Sequence, residues 1–122
     1  MVSYFFDSYA VIEILKANPN YFKYREEPVT ITILNLIEIV AAVHLQFGKE
    51  KAEEIYEKFK SCVQEVTKDI VIEAVGFREK YKKRDISYAD AVGYISAKKG
   101  GMLFLTGDKE FDHFPNVEFV KK

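Results

Sequence analysis

Short apolar runs and amphipathic helical segments take turns along this chain, and that alternation leaves few folds open to it. Residues 2–6 (Val-Ser-Tyr-Phe-Phe) form an aromatic-rich run of strand character. Ser8 then stands as an N-cap for a helix that turns Val11, Ile12 and Leu15 inward and stops near Asn18-Pro19. Val29–Ile31 is a second candidate strand. Ile33–Phe47 has helical period and is apolar almost all round, which predicts a buried helix, and Gly48 ends it. Residues 49–61 read as a Lys/Glu-rich surface helix, Val63–Val66 as a strand, and Asp69–Tyr81 as a helix weakened by Gly76. Ser87-Tyr88-Ala89-Asp90 is a capping pattern that starts a helix running to Gly100-Gly101. Strand Met102–Leu105, a Thr106-Gly107-Asp108 turn and strand Val117–Val120 follow. Strands separated by helices run parallel, so the expectation is an α/β domain on a parallel sheet.

At 122 residues the chain suits one domain, 1–122, with no repeat, low-complexity tract or linker to divide it. The three prolines (Pro19, Pro28 and Pro115) fall between periodic segments. Acidic and basic residues nearly cancel, leaving a formal charge of -1. That excludes a protein that holds nucleic acid by overall positive charge, so any phosphate binding needs local help. The single cysteine, Cys62, cannot close an internal disulfide, which fits a reducing compartment. The first residues carry no basic lead and meet Asp7 at once, and no apolar run reaches the roughly 18 residues of a membrane span. A soluble, cytoplasmic protein with no membrane partner is expected.

Open parallel sheets bind ligands beyond the carboxyl ends of their strands. Asp7 directly follows the first strand, and Asp108 follows the strand at 102–105 after a short turn, so both face one crevice in such a fold. Glu38 interrupts the apolar run Ile33–Val43, where a carboxylate is costly to bury without a cation. Asp90 lies in the first turn of its helix between Ala89 and Ala91, which leave room for close approach. Each acid alone has a plain structural explanation: Asp7, Asp90 and Asp108 as caps or turn residues, Glu38 on an exposed strip or paired with a lysine. Together they are less ordinary. Carboxylates converging on one crevice repel each other unless cations neutralise them, and oxygen donors without a Cys/His cluster suit Mg2+ or Mn2+.

At these residues the chain resembles the PIN-domain family and, in size, the VapC-type ribonuclease toxins of prokaryotic toxin-antitoxin pairs. Phe5-Phe6-Asp7-Ser8 is similar to that family's opening strand, and Leu36-Ile37-Glu38-Ile39 to its helical glutamate. Asp90-Ala91-Val92 through Ala97 is similar to its third acidic motif, and Leu105-Thr106-Gly107-Asp108-Lys109-Glu110-Phe111 to its closing motif. The motifs cover essentially the whole chain in order. Glu110 stands where many members carry aspartate, with Asp112 close behind, so the fifth acid is open between them. The resemblance implies a three-layer α/β/α fold around a central, mainly parallel sheet of four to five strands. It also implies an Mg2+- or Mn2+-dependent endoribonuclease in which Asp7, Glu38, Asp90 and Asp108 hold two ions for phosphodiester hydrolysis. Thr106 and Ser8 would orient ligands or substrate. As partners it implies an RNA substrate, a homodimer and a small antitoxin whose segment crosses the acidic groove.

Other residues are better explained structurally. His44 and His113 have no catalytic partner in view, and Cys62 is a small packing residue. The basic stretch Lys80, Lys82, Lys83, Arg84 is either an RNA contact or a solvated helix end. Tyr9, Tyr56 and Tyr94 could stack bases or form a dimer face, but aromatic residues at helical spacing are more often core, and none of them is assigned. The apolar residues Ile70, Val71, Ala74 and Phe77, or the first helix, are candidates for a dimer surface. Rival functions fit less well. A haloacid-dehalogenase pattern needs a second aspartate where this chain has Tyr9, and a receiver domain needs an acidic pair that is not here. A non-catalytic PIN scaffold or protein-binding module, and a structure-specific DNA nuclease, remain the alternatives.

Overall fold

A computed structural model describes residues 1–121. Its sheet is built from β1 (Tyr4–Phe6), β2 (Leu103–Thr106) and β3 (Val117–Phe119), parallel and in the order β1-β2-β3. Tyr4 lies beside Leu103 and Phe6 beside Leu105, while Phe104 lies beside Val117 and Thr106 beside Phe119. The helices are α1 (Ser8–Leu15), α2 (Ile33–Phe47), α3 (Lys49–Phe59), α4 (Lys68–Lys80) and α5 (Tyr88–Lys99).

Strand alternation decides which face each core residue serves. Phe5 and Phe104 point to one side, where they pack with α4 and α5 through Ile70, Ala74, Ala91 and Ile95. Phe6 and Leu105 point to the other, against Ala10 and Val11 of α1 and Leu36 and Ile39 of α2. The result is three layers, helix over sheet over helix, as expected. Aromatic residues dominate the first core. Tyr94 and Phe111 lie 5.5 Å apart between ring centres, and the Tyr94 hydroxyl donates to the Pro115 carbonyl at 2.7 Å. Tyr94 is therefore core, as its sequence context suggested.

Four to five strands were expected and three form. The segments at 29–31 and 63–66 contribute one parallel bridge, Ile31 to Val63. Ile31 donates to the Cys62 carbonyl at 3.1 Å, Gln64 donates to Ile31 at 2.8 Å, and Phe6 donates to Thr30 at 2.9 Å. These bonds continue the sheet beyond β1, but neither segment is long enough for a ladder. Thr32 already caps α2, and a 3-10 turn at Lys60–Cys62 occupies the approach to Val63. That turn also shortens the helix expected at 49–61. Residues Pro19–Tyr24, which carried no prediction, form another 3-10 turn with Tyr21 and Tyr24 buried.

Three further expectations need correction. Asp7, not Ser8, is the N-cap residue of α1, and Leu15 is 37% exposed while Glu13 is buried, held by the Asn18 side-chain amide at 2.8 Å. The α2 helix is not buried all round: only Asn35, Leu36 and Ile39 are, while Ile37 is 58% and Leu45 90% exposed. Its apolar outer face therefore lies open, and that face borders α3 rather than the sheet. On α4, Ile70 and Ala74 are buried in the monomer's core and Phe77 packs against it. The apolar side chains that α4 turns outward are Val71, Ile72 and Val75.

Candidate functional site

A cleft of about 810 Å3 opens beyond the carboxyl ends of β1 and β2, where a parallel sheet places its ligands. The sequence-derived acids meet there. Asp7, Glu38, Asp90 and Asp108, drawn from four separate parts of the chain, all line it.

Each is aimed by its local structure. The Asp7 amide donates to the Leu105 carbonyl at 3.0 Å, so the sheet fixes its backbone. Its carboxylate makes no cap bond to α1; it accepts instead from the Thr106 hydroxyl at 2.7 Å. Thr106 is fully buried at the end of β2, and its oxygen also accepts from the Asp108 amide at 3.0 Å. One hydroxyl thus ties two of the acids together. The Asp108 carboxylate in turn accepts from the Glu110 amide at 2.9 Å, capping the 3-10 turn at Lys109–Phe111.

Glu38 is positioned by a relay. The Thr32 amide and hydroxyl both donate to the side-chain oxygen of Asn35, the Asn35 amide group donates to Ser8 at 3.0 Å, and Ser8 donates to Glu38 at 2.5 Å. Glu38 lies on the exposed side of α2, at the mouth of the cleft, rather than in the apolar interior. Asn35 is buried and was missed by sequence reasoning; the available signal was an amide three residues after a helix-capping threonine. Asp90 forms a reciprocal capping box with Ser87, accepting from the Ser87 amide at 3.2 Å while its own amide donates to the Ser87 hydroxyl at 3.0 Å. It is both a cap and a wall of the cleft.

The electrostatics follow from this crowding. Asp7 is 4% exposed, and its carboxyl is raised from the ordinary 3.8 to about 7. Burial is the main cause; Asp90, Glu38 and Asp108 push it further up, and the Thr106 hydrogen bond partly opposes them. Asp90 is raised as well, by burial first and by Asp108 and Glu38 after the opposing bonds from Ser87. Acids crowded so that Asp7 and Asp90 hold their protons more tightly form a site that favours either protons or cations. Hard divalent ions suit such all-oxygen donors. As placed, no three acidic, histidine or cysteine side chains among the described residues enclose an ion-sized space.

The remaining expectations divide cleanly. Ser8 and Thr106 belong to the site, as hydrogen-bond donors to Glu38 and Asp7. Glu110 and Asp112 do not line the cleft: the turn at 109–111 carries the chain away, Glu110 faces Arg84 at 4.0 Å, and Asp112 is exposed. Lys80, Lys82, Lys83 and Arg84 lie outside it, with Lys82 paired to Glu79 at 3.6 Å. Unforeseen members are Tyr9, Ile12, Gly107, Lys109, Phe119 and Lys121. For Phe119 a signal existed, since period-two alternation along the last strand predicts which side chains share a face.

A family model for the PIN domain matches residues 4–117. No curated protein matches the chain in sequence. Solved structures do match it in shape. The VapC20 toxin of Mycobacterium tuberculosis, described as cleaving the sarcin-ricin loop, superposes with a TM-score of 0.79 at 20% identity over 97% of this chain and 99% of that one. A toxin-antitoxin complex from Klebsiella pneumoniae gives 0.74 at 18% identity over 95% and 96%. VapBC2 from Rickettsia felis, bound to a DNA fragment from its promoter, gives 0.71 at 18% identity over 100% and 99%. With the family match running from the first strand to the last, and helices covering both faces of a parallel sheet, the chain belongs to the PIN domain family.

Proposed function

We propose that this protein is a metal-dependent endoribonuclease and the toxin of a toxin-antitoxin pair, acting in the cytoplasm. The observation that carries the proposal is the convergence of Asp7, Glu38, Asp90 and Asp108 on one cleft, with Asp7 pushed up to about 7 by burial and by the other three. Those four carboxylates would hold one or two Mg2+ or Mn2+ ions, which supply a water activated for attack and positive charge for the phosphodiester. Thr106 and Ser8 keep Asp7 and Glu38 turned toward the cleft. Asn35 holds Ser8 in turn, and that buried support limits the reorganisation a ligand must drive.

The toxin assignment draws on likeness: similar structures include toxin-antitoxin complexes, which favours a small antitoxin as partner. A homodimer follows from the same family resemblance, and the outward Val71, Ile72 and Val75 of α4 supply an apolar surface for it. No helix of the described residues is long and apolar enough to cross a membrane.

A panel of structured RNAs incubated with Mg2+ or Mn2+ tests the activity. Cleavage is expected with either ion and not with chelator. Asp90→Asn should lose at least about a hundredfold in rate while remaining folded, because the site loses one of its anionic ligands. Undiminished cleavage in chelator would refute metal dependence, and an inert wild type that binds RNA would favour a non-catalytic scaffold.

A further inference from the structure

Three buried polar side chains, Thr32, Asn35 and Ser8, connect the capping turn of α2 to the carboxylate cleft. The backbone fixes the sense of the hydrogen bonds they share. A backbone amide can only donate, so the Asn35 atom 2.9 Å from the Thr32 nitrogen is its carbonyl oxygen, and the Thr32 hydroxyl donates to the same atom at 3.0 Å. The NH2 end of Asn35 therefore faces Ser8, 3.0 Å away, and that group too can only donate. Ser8 accepts this bond and has one proton left, with Glu38 2.5 Å from its oxygen. Asn35 and Glu38 stand three residues apart on one side of α2, and Ser8 reaches both from the first turn of α1.

We propose that Asn35 is a positioning residue: it commits the Ser8 hydroxyl to donate to Glu38 and so sets the pose in which Glu38 meets the cleft. Aspartate at this position would do the reverse, because its second oxygen would take the Ser8 proton. Ser8 would then turn a lone pair toward Glu38, and two acceptors repel. Helix stability alone does not ask for an amide here. Asn35 is the third residue of α2, where aspartate accepts from a capping threonine equally well and carries a charge that the helix N-terminus favours. What asparagine adds is the donor that faces Ser8. The consequence for metal binding rests on the reading proposed above, whereas the direction of the hydrogen bonds does not.

The test compares Asn35→Asp and Asn35→Leu with wild type by metal-free crystal structures, thermal melts and Mn2+ titration. Asn35→Asp should melt within about 3 °C of wild type, with Ser8 turned to the new carboxylate and Glu38 beyond hydrogen-bond distance of it. Its Mn2+ binding should be about tenfold weaker, the scale of losing a support behind a metal ligand. Asn35→Leu leaves the Thr32 amide without an acceptor and should melt at least about 5 °C lower. Nothing then competes for the Ser8 proton, so the Ser8 bond to Glu38 should persist and Mn2+ binding should stay within about threefold of wild type. A merely structural role gives a different order, with the leucine variant the worse of the two in both melting and binding. Asn35→Asp that keeps the Ser8 bond to Glu38, or that binds Mn2+ as tightly as wild type, would overturn the proposal. If that happens while wild type binds Mn2+, only the positioning role fails. If wild type takes up no Mn2+ while Asn35→Asp still turns Ser8 away from Glu38, the metal reading fails and the positioning role stands.

Discussion

Asp7→Asn is expected to abolish RNA cleavage while making the metal-free protein more stable. Asp7 sits at the end of β1 with its backbone fixed to Leu105 and its carboxylate against Thr106, Asp90, Glu38 and Asp108. Asparagine keeps the size and still accepts from Thr106, but removes the buried charge that the other three acids oppose. Loss of this ligand should reduce the rate at least about a hundredfold.

The stability change has a definite sign. The folded protein holds the Asp7 proton up to about pH 7, whereas the unfolded chain releases it near 3.8, so the folded state binds more protons between those values. Stability of the metal-free wild type is therefore greatest at the acid end of that interval and falls as pH rises through it. Raising this carboxyl from 3.8 to about 7 corresponds to on the order of 4 kcal/mol, an amount that Asp7→Asn should largely recover at pH 8. Thermal melts in chelator at pH 5 and pH 8 check this: the wild-type midpoint should drop between them and the variant's drop should be smaller. A wild type equally stable at both values, or a variant less stable at pH 8, would contradict the account. Metal competes with the same proton, so metal affinity should climb with pH over the same range.

Gly107→Ala should be nearly as damaging, for a different reason. A Cβ at this position would lie 2.6 Å from the Tyr21 hydroxyl and 2.9 Å from the Val120 carbonyl oxygen. Those two groups are themselves bonded at 2.8 Å, joining the 3-10 turn at Pro19–Tyr24 to the end of β3. Nearby, the Tyr24 hydroxyl donates to Glu118 at 2.5 Å, and the Asn20 amide group to the Lys121 carbonyl at 3.1 Å. The new methyl group meets backbone on one side and a fully buried ring's hydroxyl on the other, so neither yields cheaply. Overpacking of this kind costs about 1–3 kcal/mol, and a broken Tyr21 bond adds about 1 kcal/mol. The strain falls on the residue before Asp108, where a shift of about 1 Å suffices to lower catalysis on the order of a hundredfold. Thermal denaturation and cleavage assays should show both losses together. A Gly107→Ala protein with wild-type melting and activity would mean that the turn has slack that the packing does not suggest.

The acids were legible in sequence because their positions follow from topology. Asp7 and Asp108 end parallel strands, and the carboxyl ends of such strands share one edge whatever the loops do. Asp90 was legible from its cap spacing, which the Ser87 bonds reproduce. Glu38 was flagged because it interrupts an apolar run; of the placements open to it, burial against a cation or an exposed strip of its helix, the exposed strip is the one found, because α2 leaves one apolar side uncovered. The strand count failed because Val29–Ile31 and Val63–Val66 have strand composition yet are cut short by a helix cap and a 3-10 turn, which propensity does not register. Tyr9 and Lys109 were invisible as site members, and for Phe119 strand alternation gave the face but not the cleft. Their roles depend on which side of a helix, turn and edge strand faces a cleft formed by distant segments, and nothing local in the chain encodes that.

Calorimetric titration of Mn2+ into wild type and Asp7→Asn asks whether the carboxylate cleft is a metal site. Saturable binding to the wild type is expected, accompanied by proton release near pH 7, with binding weakened at least about tenfold in a folded Asp7→Asn. A folded wild type that takes up no divalent ion, or a variant that binds as tightly as wild type, would contradict it.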